Sequence, residues 1–307
     1  MSLIADKLWK LERIFLLKLF YLRSFLGRYC YFSRFGRLEH WLFVTLVSRF
    51  KNIKLDSFWF PDRRGNFFLL NPKSFIDANI LLTGDYEKSL QKFINAQVNP
   101  GNICFDVGAN IGVMTLNFAS RVKSGGRVYA FEPIPKIFEA LNQNVKRNNL
   151  SETVLSYQLA LSNIDGERLI HTFQDDFENQ GMSSLVSEHF PDLNQKMSVN
   201  STTIDLFVSK YNIQKIDFIK VDIQGAEGLF IQGARKTLSQ SSAVLLMEIS
   251  ALDLMENKRT PQSIFQELFN LGYRNFCLLG KNGEYSKQIE IQQVSDQFSA
   301  SVVVCRK

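Results

Sequence analysis

Histidine and cysteine are scarce in this 307-residue chain, with three His and four Cys. The cysteines (Cys30, Cys104, Cys277, Cys305) lie far apart, with no C-x-x-C pair and no histidine at ligand spacing. That argues against a disulfide framework and against a zinc site. Cys104 and Cys305, set in apolar strand-like runs, read as small core residues. No run of about 18 uncharged apolar residues occurs, so no segment is built to span a bilayer. The start, Met-Ser-Leu-Ile-Ala-Asp-Lys, lacks the basic region, apolar stretch and small-residue cleavage site of a signal peptide. On these absences the protein is expected in the cytoplasm.

A basic surplus is also missing from most of the chain. The net charge is +6, yet residues 1–54 hold eleven Lys/Arg against three Asp/Glu, so residues 55–307 carry −2. Binding to nucleic acid calls for a positive face to meet phosphates, and none is expected there. Leu8, Leu11, Phe15, Leu19, Leu22 and Leu26 fall three or four apart, while Lys7, Lys10, Arg13 and Lys18 gather on the other side, which is the pattern of an amphipathic basic helix. Residues 1–54 are therefore expected to form a helical extension, and residues 55–307 the main domain. Two roles fit the extension: packing on protein, or peripheral contact with anionic lipid at the inner membrane face.

What is present is concentrated between Asn102 and Glu132. Ile103 to Val107 is a short apolar strand interrupted by Asp106, Gly108 and Gly112 bracket a tight turn into a helix near Ile111, and a second strand, Arg127 to Phe131, ends at Glu132. This is a nucleotide-binding βαβ opening, but Asn110 stands where the dinucleotide fingerprint has its middle glycine. An aspartate two residues before the first glycine would also repel a phosphate. A phosphate-free, positively charged ligand such as S-adenosylmethionine suits the turn, with Glu132 placed to accept from ribose hydroxyls.

Downstream, strands and helices alternate. A helix is expected over Pro135 to Asn148, strands at Val154 to Ala160, Ile216 to Val221 and Val244 to Met247, and a helix from Thr260-Pro261. Two last strands, Tyr273 to Leu279 and Ser299 to Cys305, are close enough to pair as an antiparallel hairpin. Ser57 to Phe60 and Asn66 to Leu70 resemble another hairpin. Asp175 to Asn200 reads as a long polar insertion, the kind of loop that covers a substrate. The order implies an α/β fold with a doubly wound, mostly parallel seven-stranded sheet.

Asp106-Val-Gly-Ala-Asn-Ile-Gly, Val128-Tyr-Ala-Phe-Glu-Pro, Thr203-Ile-Asp205 and Phe218-Ile-Lys-Val-Asp-Ile-Gln-Gly-Ala-Glu227 together resemble the FkbM-type methyltransferases, a Rossmann-like class I branch of the S-adenosylmethionine enzymes. The match runs from about Tyr86 to about Glu248. The resemblance implies O-methylation of a sugar, glycan or small secondary metabolite. It places Asp106, Gly108, Ala109, Asn110 and Gly112 around the methionine moiety, Glu132 and Pro133 at the ribose, Glu87 near the amino group, and Asp222 at the end of the fourth strand. The family commonly carries Glu where this chain has Gln224.

An alcohol attacks a methyl donor only if its proton leaves, which calls for a carboxylate or imidazole within hydrogen-bond reach. Asp222 is expected to be the general base or the orienter of the acceptor, Glu248 an acceptor-side acid, and Glu227 a supporting carboxylate or merely a helix-start residue. His171 and His189, in or beside the polar insertion, are weaker candidates. Magnesium on the carboxylates is a minor alternative, and no metal ligand is assigned. A non-catalytic module that binds S-adenosylmethionine or scaffolds a complex, and an RNA or protein methyltransferase, are the competing functions. Oligomeric state is not encoded in any pattern of the chain.

Overall fold

The computed structural model describes residues 57–71, 74–172, 195–251, 254 and 259–307. The basic helical pattern of residues 1–54, Cys30 and His189 lie outside them. Among the described residues, no helix is long and apolar enough to cross a membrane. The chain divides into two compact units, Met1–Tyr86 and Glu87–Lys307.

In the first unit, strands β1 (Phe58–Pro61) and β2 (Phe67–Leu70) pair antiparallel, as the two apolar runs around Pro61-Asp-Arg-Arg-Gly65 anticipate. Their turn is organised by buried Asp62, whose carboxylate accepts the backbone N–H of Arg64 and of Asn66 at 2.8 and 2.9 Å. Helix α1 (Phe75–Thr83) follows, capped by Ser74.

The second unit opens with α2 (Lys88–Gln97) and then alternates: β3 (Ile103–Val107), α3 (Val113–Val122), β4 (Arg127–Phe131), α4 (Pro135–Arg147) and β5 (Val154–Tyr157). Three strands, β6 (Ala160–Leu161), β7 (Gly166–Thr172) and β8 (Gln195–Thr202), form a small separate sheet in the order 6-8-7. Next come α5 (Ile204–Lys210), β9 (Phe218–Val221), α6 (Glu227–Gly233), α7 (Arg235–Gln240) and β10 (Val244–Ile249). The final elements are α8 (Pro261–Asn270), β11 (Asn275–Leu279), β12 (Tyr285–Gln288) and β13 (Ala300–Arg306).

The main sheet has the order β12-β11-β13-β10-β9-β3-β4-β5. Pairs among β10, β9, β3, β4 and β5 are parallel, and the β10–β13–β11–β12 pairs are antiparallel. This is the expected α/β fold with one more edge strand, since the segment between the two final strands contributes β12. All four residues of β12 are exposed, so no apolar alternation betrays it in the sequence.

Strands β3, β4 and β5 progress outward from the centre, and the chain then returns to lay β9 on the other side of β3. The sheet therefore has a switch point between β3 and β9, and open α/β sheets bind ligands at the carboxyl ends of the strands there. The four residues of β9 are all buried, and Phe105, Phe131 and Phe207 interlock at centroid distances of 4.8–6.0 Å beneath the site.

The expected polar insertion ends in regular structure: residues 195–200 belong to β8, antiparallel to β7. Only Val199 and Ser201 of β8 are buried, so its inward face is too sparse to read as a strand from composition.

Candidate functional site

The turn after β3 is built by its own hydrogen bonds. Gly108 N and Ala109 N donate to Phe131 O at the end of β4, at 3.1 and 2.9 Å, and Gly112 N donates to Ala109 O at 2.9 Å. Asn110, in the left-handed region at φ 51°, donates its backbone N–H to Glu132 Oε2 at 3.0 Å, and its Oδ1 accepts from Ile111 N at 2.7 Å. Asparagine tolerates that conformation through such a local bond. Five consecutive N–H groups are thus satisfied within the protein, and the turn offers no array of free donors for a pyrophosphate.

Gly108 is required for a second reason. At φ +75°, a Cβ there would stand 1.9 Å from the Asp222 carbonyl oxygen, so the turn and the end of β9 are in backbone contact.

Glu132 is buried at the end of β4, its carboxylate also accepting from Ile134 N at 3.0 Å. Pro133, which has no N–H, leaves the carboxylate to reach the next residue. Burial pushes Glu132 up to about 7 against the pull of the Ile134 and Asn110 N–H groups. Each oxygen holds one backbone donor and keeps a lone pair for another, as a ribose diol requires.

The raised value has a consequence for stability. A folded-state pKa above the ordinary 4.5 favours the folded protein at low pH, and this contribution is lost as pH rises toward 7. Glu132→Gln cannot titrate. Its stability relative to wild type should therefore improve by up to about 3 kcal/mol between pH 4 and 8, whatever constant offset the lost hydrogen bond adds. Denaturation curves across that range check the trend, and a pH-independent difference would contradict it.

The remaining acids converge on one cation that sequence reasoning passes over. Lys220, 5% exposed in the middle of β9, places Nζ 2.9 Å from Gly108 O, 3.2 Å from Asp222 Oδ2 and 3.6 Å from Asp106 Oδ1. Burial alone would strip its proton, but Asp222, Asp106 and Glu87 outweigh burial and hold its pKa above that of an ordinary lysine. The available signal is local: Lys220 lies in a strand buried throughout, two residues before Asp222 at its end, and a buried lysine must be paired.

Asp106, fully buried, accepts from Thr115 Oγ1 at 2.6 Å; burial raises its pKa despite Lys220 and Thr115. Its Oδ1 has no hydrogen bond, only the longer ion pair to Lys220. Burial would raise Asp222 too, but Lys220, with hydrogen bonds from Glu248 and Gln224, holds it below the usual carboxylate range. Glu248 goes the other way: burial, then the Asp222 charge and their shared hydrogen bond, push it up to about 9. The Asp222 charge thus favours the protonated form of Glu248.

Gln224 bridges that pair, with Nε2 donating to Asp222 Oδ1 at 2.8 Å and Glu248 Oε2 at 3.2 Å. An amide can donate to both, whereas a third carboxylate would repel them. Gln224 itself is held at φ 51°. Glu248 lies one residue inside β10, at a register shift against β13 between Met247 and Ile249, where a bulge re-aims a side chain.

Glu87 caps the start of α2 in the left-handed region, and burial with the nearby Asp222 charge pushes it up to about 7. Glu227, buried at the start of α6, accepts from Ile223 N at 3.2 Å and ties the turn between β9 and α6. Asp106, Glu87, Asp222 and Glu248 thus form one cluster around Lys220. His171 lies outside it in β7, opposite Lys196. Among the described residues, no group of three or more His, Cys, Asp or Glu is arranged to hold a metal ion.

The model of the methyltransferase FkbM domain matches residues 106–275, more than half of the chain. The 31-O-demethyl-FK506 methyltransferase FkbM of Streptomyces tacrolimicus is 27% identical over 161 residues, 45% of this chain and 61% of that protein. The hexuronic acid methyltransferase AglP of Haloferax volcanii is 26% identical over 165 residues, 54% and 63% of the two chains. The 2-O-methyltransferase NoeI of Sinorhizobium fredii is 21% identical over 188 residues, 58% and 75%. The chain spans about three-fifths of the length of the first two.

Proposed function

The chain belongs to the FkbM methyltransferase family, whose methyl donor is S-adenosylmethionine, and on that premise we propose that it methylates a hydroxyl of a sugar, glycan or small secondary metabolite. The observation that carries the donor assignment is the polar inventory of the turn after β3. Its N–H groups are spent internally, and Asp106, Glu132, Asp222 and Glu87 surround it. A phosphate would meet like charge and no donors; a sulfonium and an ammonium meet compensating carboxylates.

Glu132 would take the ribose hydroxyls, the turn from Gly108 to Gly112 the methionine portion, and Glu87 its amino group. When bound, the donor supplies an activated methyl group, so that the carbon–sulfur bond breaks as the acceptor oxygen forms its new bond. The protein must hold the acceptor in line and take its proton.

The geometry supports exchanging the roles expected for the two strand-end acids. Asp222, locked to Lys220 and kept ionised, is a weak base suited to orienting the acceptor hydroxyl. Glu248, with the higher proton affinity, is the better acceptor of the released proton once the donor's positive charge has drawn off the proton it carries in the free protein. The hydroxyl proton then ends on Glu248 and restores the protonated acid of the free protein.

Acids on the acceptor side favour a neutral hydroxyl over one flanked by phosphate, which argues for a sugar or metabolite and against RNA. The names of two relatives, a hexuronic acid methyltransferase and a 31-O-demethyl-FK506 methyltransferase, support a sugar or metabolite acceptor. The test is incubation with methyl-labelled S-adenosylmethionine and a panel of glycans and polyhydroxylated metabolites, with mass detection of the labelled product. Label in an ether methyl of one class is the expected result. Donor binding without transfer to any hydroxyl, or label in RNA or protein, would overturn the proposal.

A further inference from the structure

Lys220 touches three separate pieces of the site: the carbonyl of Gly108 in the turn, Asp222 at the end of its own strand, and Asp106 on the neighbouring strand. One side chain thus bonds both the turn assigned to the donor and the acid assigned to the acceptor. The Gly108 and Asp222 backbones are already pressed together, with no room for a Cβ between them. A stable core would not need a charge there, because well-packed apolar residues commonly replace a buried ion network at no loss of stability.

Resting on the donor assignment above, we infer that Lys220 is a positioning residue that fixes the donor turn to the acceptor-side acid, so that donor occupancy and the charge state of Asp222 are one coupled event. The charged groups that bear on its ammonium are Asp106 from β3, Glu132 from β4, Asp222 from β9 and Glu87 from the start of α2. Removing the ammonium leaves these acids facing one another without a cation. They then retain protons to higher pH, and a cationic donor binds only as those protons leave.

Calorimetry of S-adenosylmethionine and S-adenosylhomocysteine binding between pH 6 and 9 tests this on the full chain. Lys220→Met is expected to bind both compounds at least about tenfold more weakly, and to need about one pH unit more to reach half its maximal S-adenosylmethionine affinity. Leu268→Ala, a core truncation on α8, serves as a control for destabilisation and should leave the pH midpoint in place.

Because Lys220→Met alone buries uncompensated carboxylates, the double variant Lys220→Met/Asp222→Asn supplies a second readout. The effect of Lys220→Met on affinity should shrink at least about fivefold when it is made on top of Asp222→Asn, as residues sharing one network are non-additive. Additive losses, or a pH profile of the Met variant superimposable on wild type, would overturn the inference. Failure of the wild-type protein to bind either compound would overturn the donor assignment first, and this inference with it.

Discussion

Glu248→Gln is expected to lower methyl transfer by about 100-fold or more, the range for loss of a positioned general base, while leaving S-adenosylhomocysteine affinity within a few-fold. The substitution is matched in size and mimics the protonated acid that the free protein carries, because burial and the Asp222 charge push Glu248 up to about 9. Folding should be little changed, which separates a chemical defect from a structural one. The wild-type rate should rise as pH rises from 6 toward 9, since the base must lose its proton to act. In the Gln variant that rise should vanish. Rates on the acceptor found with labelled donor, taken at several pH values, are the measurement. If the Gln variant keeps more than half of the wild-type rate, proton transfer lies elsewhere and Asp222 regains the role expected of it from sequence.

Gly108→Ala is expected to be the most damaging single methyl group in the turn. The new Cβ would meet backbone, not a movable side chain, at 1.9 Å from the Asp222 oxygen, and at φ +75° an L-residue is strained whatever the space. Strain and overpacking together should cost about 2–5 kcal/mol. Relief requires the turn to separate from β9, which stretches the 2.9 Å bond between Lys220 and Gly108 O and disturbs the donor pocket. The denaturation midpoint and S-adenosylhomocysteine affinity should therefore fall together. Gly101→Ala, where φ is +85° but a Cβ meets nothing within 4 Å, isolates the conformational part and should be milder, with donor binding retained. Equal losses in the two variants would show that the clash with Asp222 is not real.

Local chemistry alone makes much of this fold and site legible. The run from Ile103 to Glu132 carries its strand–turn–helix–strand pattern in residues adjacent in sequence, so the turn glycines and the strand-end acid can be named without knowing what packs on them. Helix starts at Pro135 and Thr260-Pro261 are equally plain, because caps are local: Thr260 and Ser263 complete a reciprocal capping box. Strands β8 and β12 are not legible, since β8 exposes half of its residues and β12 all of them, and each owes its existence to a partner strand. Glu248 reads as a strand-end acid in sequence, but only the mismatch with β13 shows that it sits at a bulge.

The sequence by itself determined the βαβ opening and the run of acids at strand ends, because residue type and short-range spacing suffice for these. Tertiary structure alone decided which acids meet. Strand β9 lies beside β3, more than a hundred residues earlier in the chain, and that pairing brings Lys220 to Asp106 and Gly108. The unlike proton affinities of Asp222 and Glu248 follow from it: one carboxyl faces a buried ammonium and the other faces its ionised neighbour.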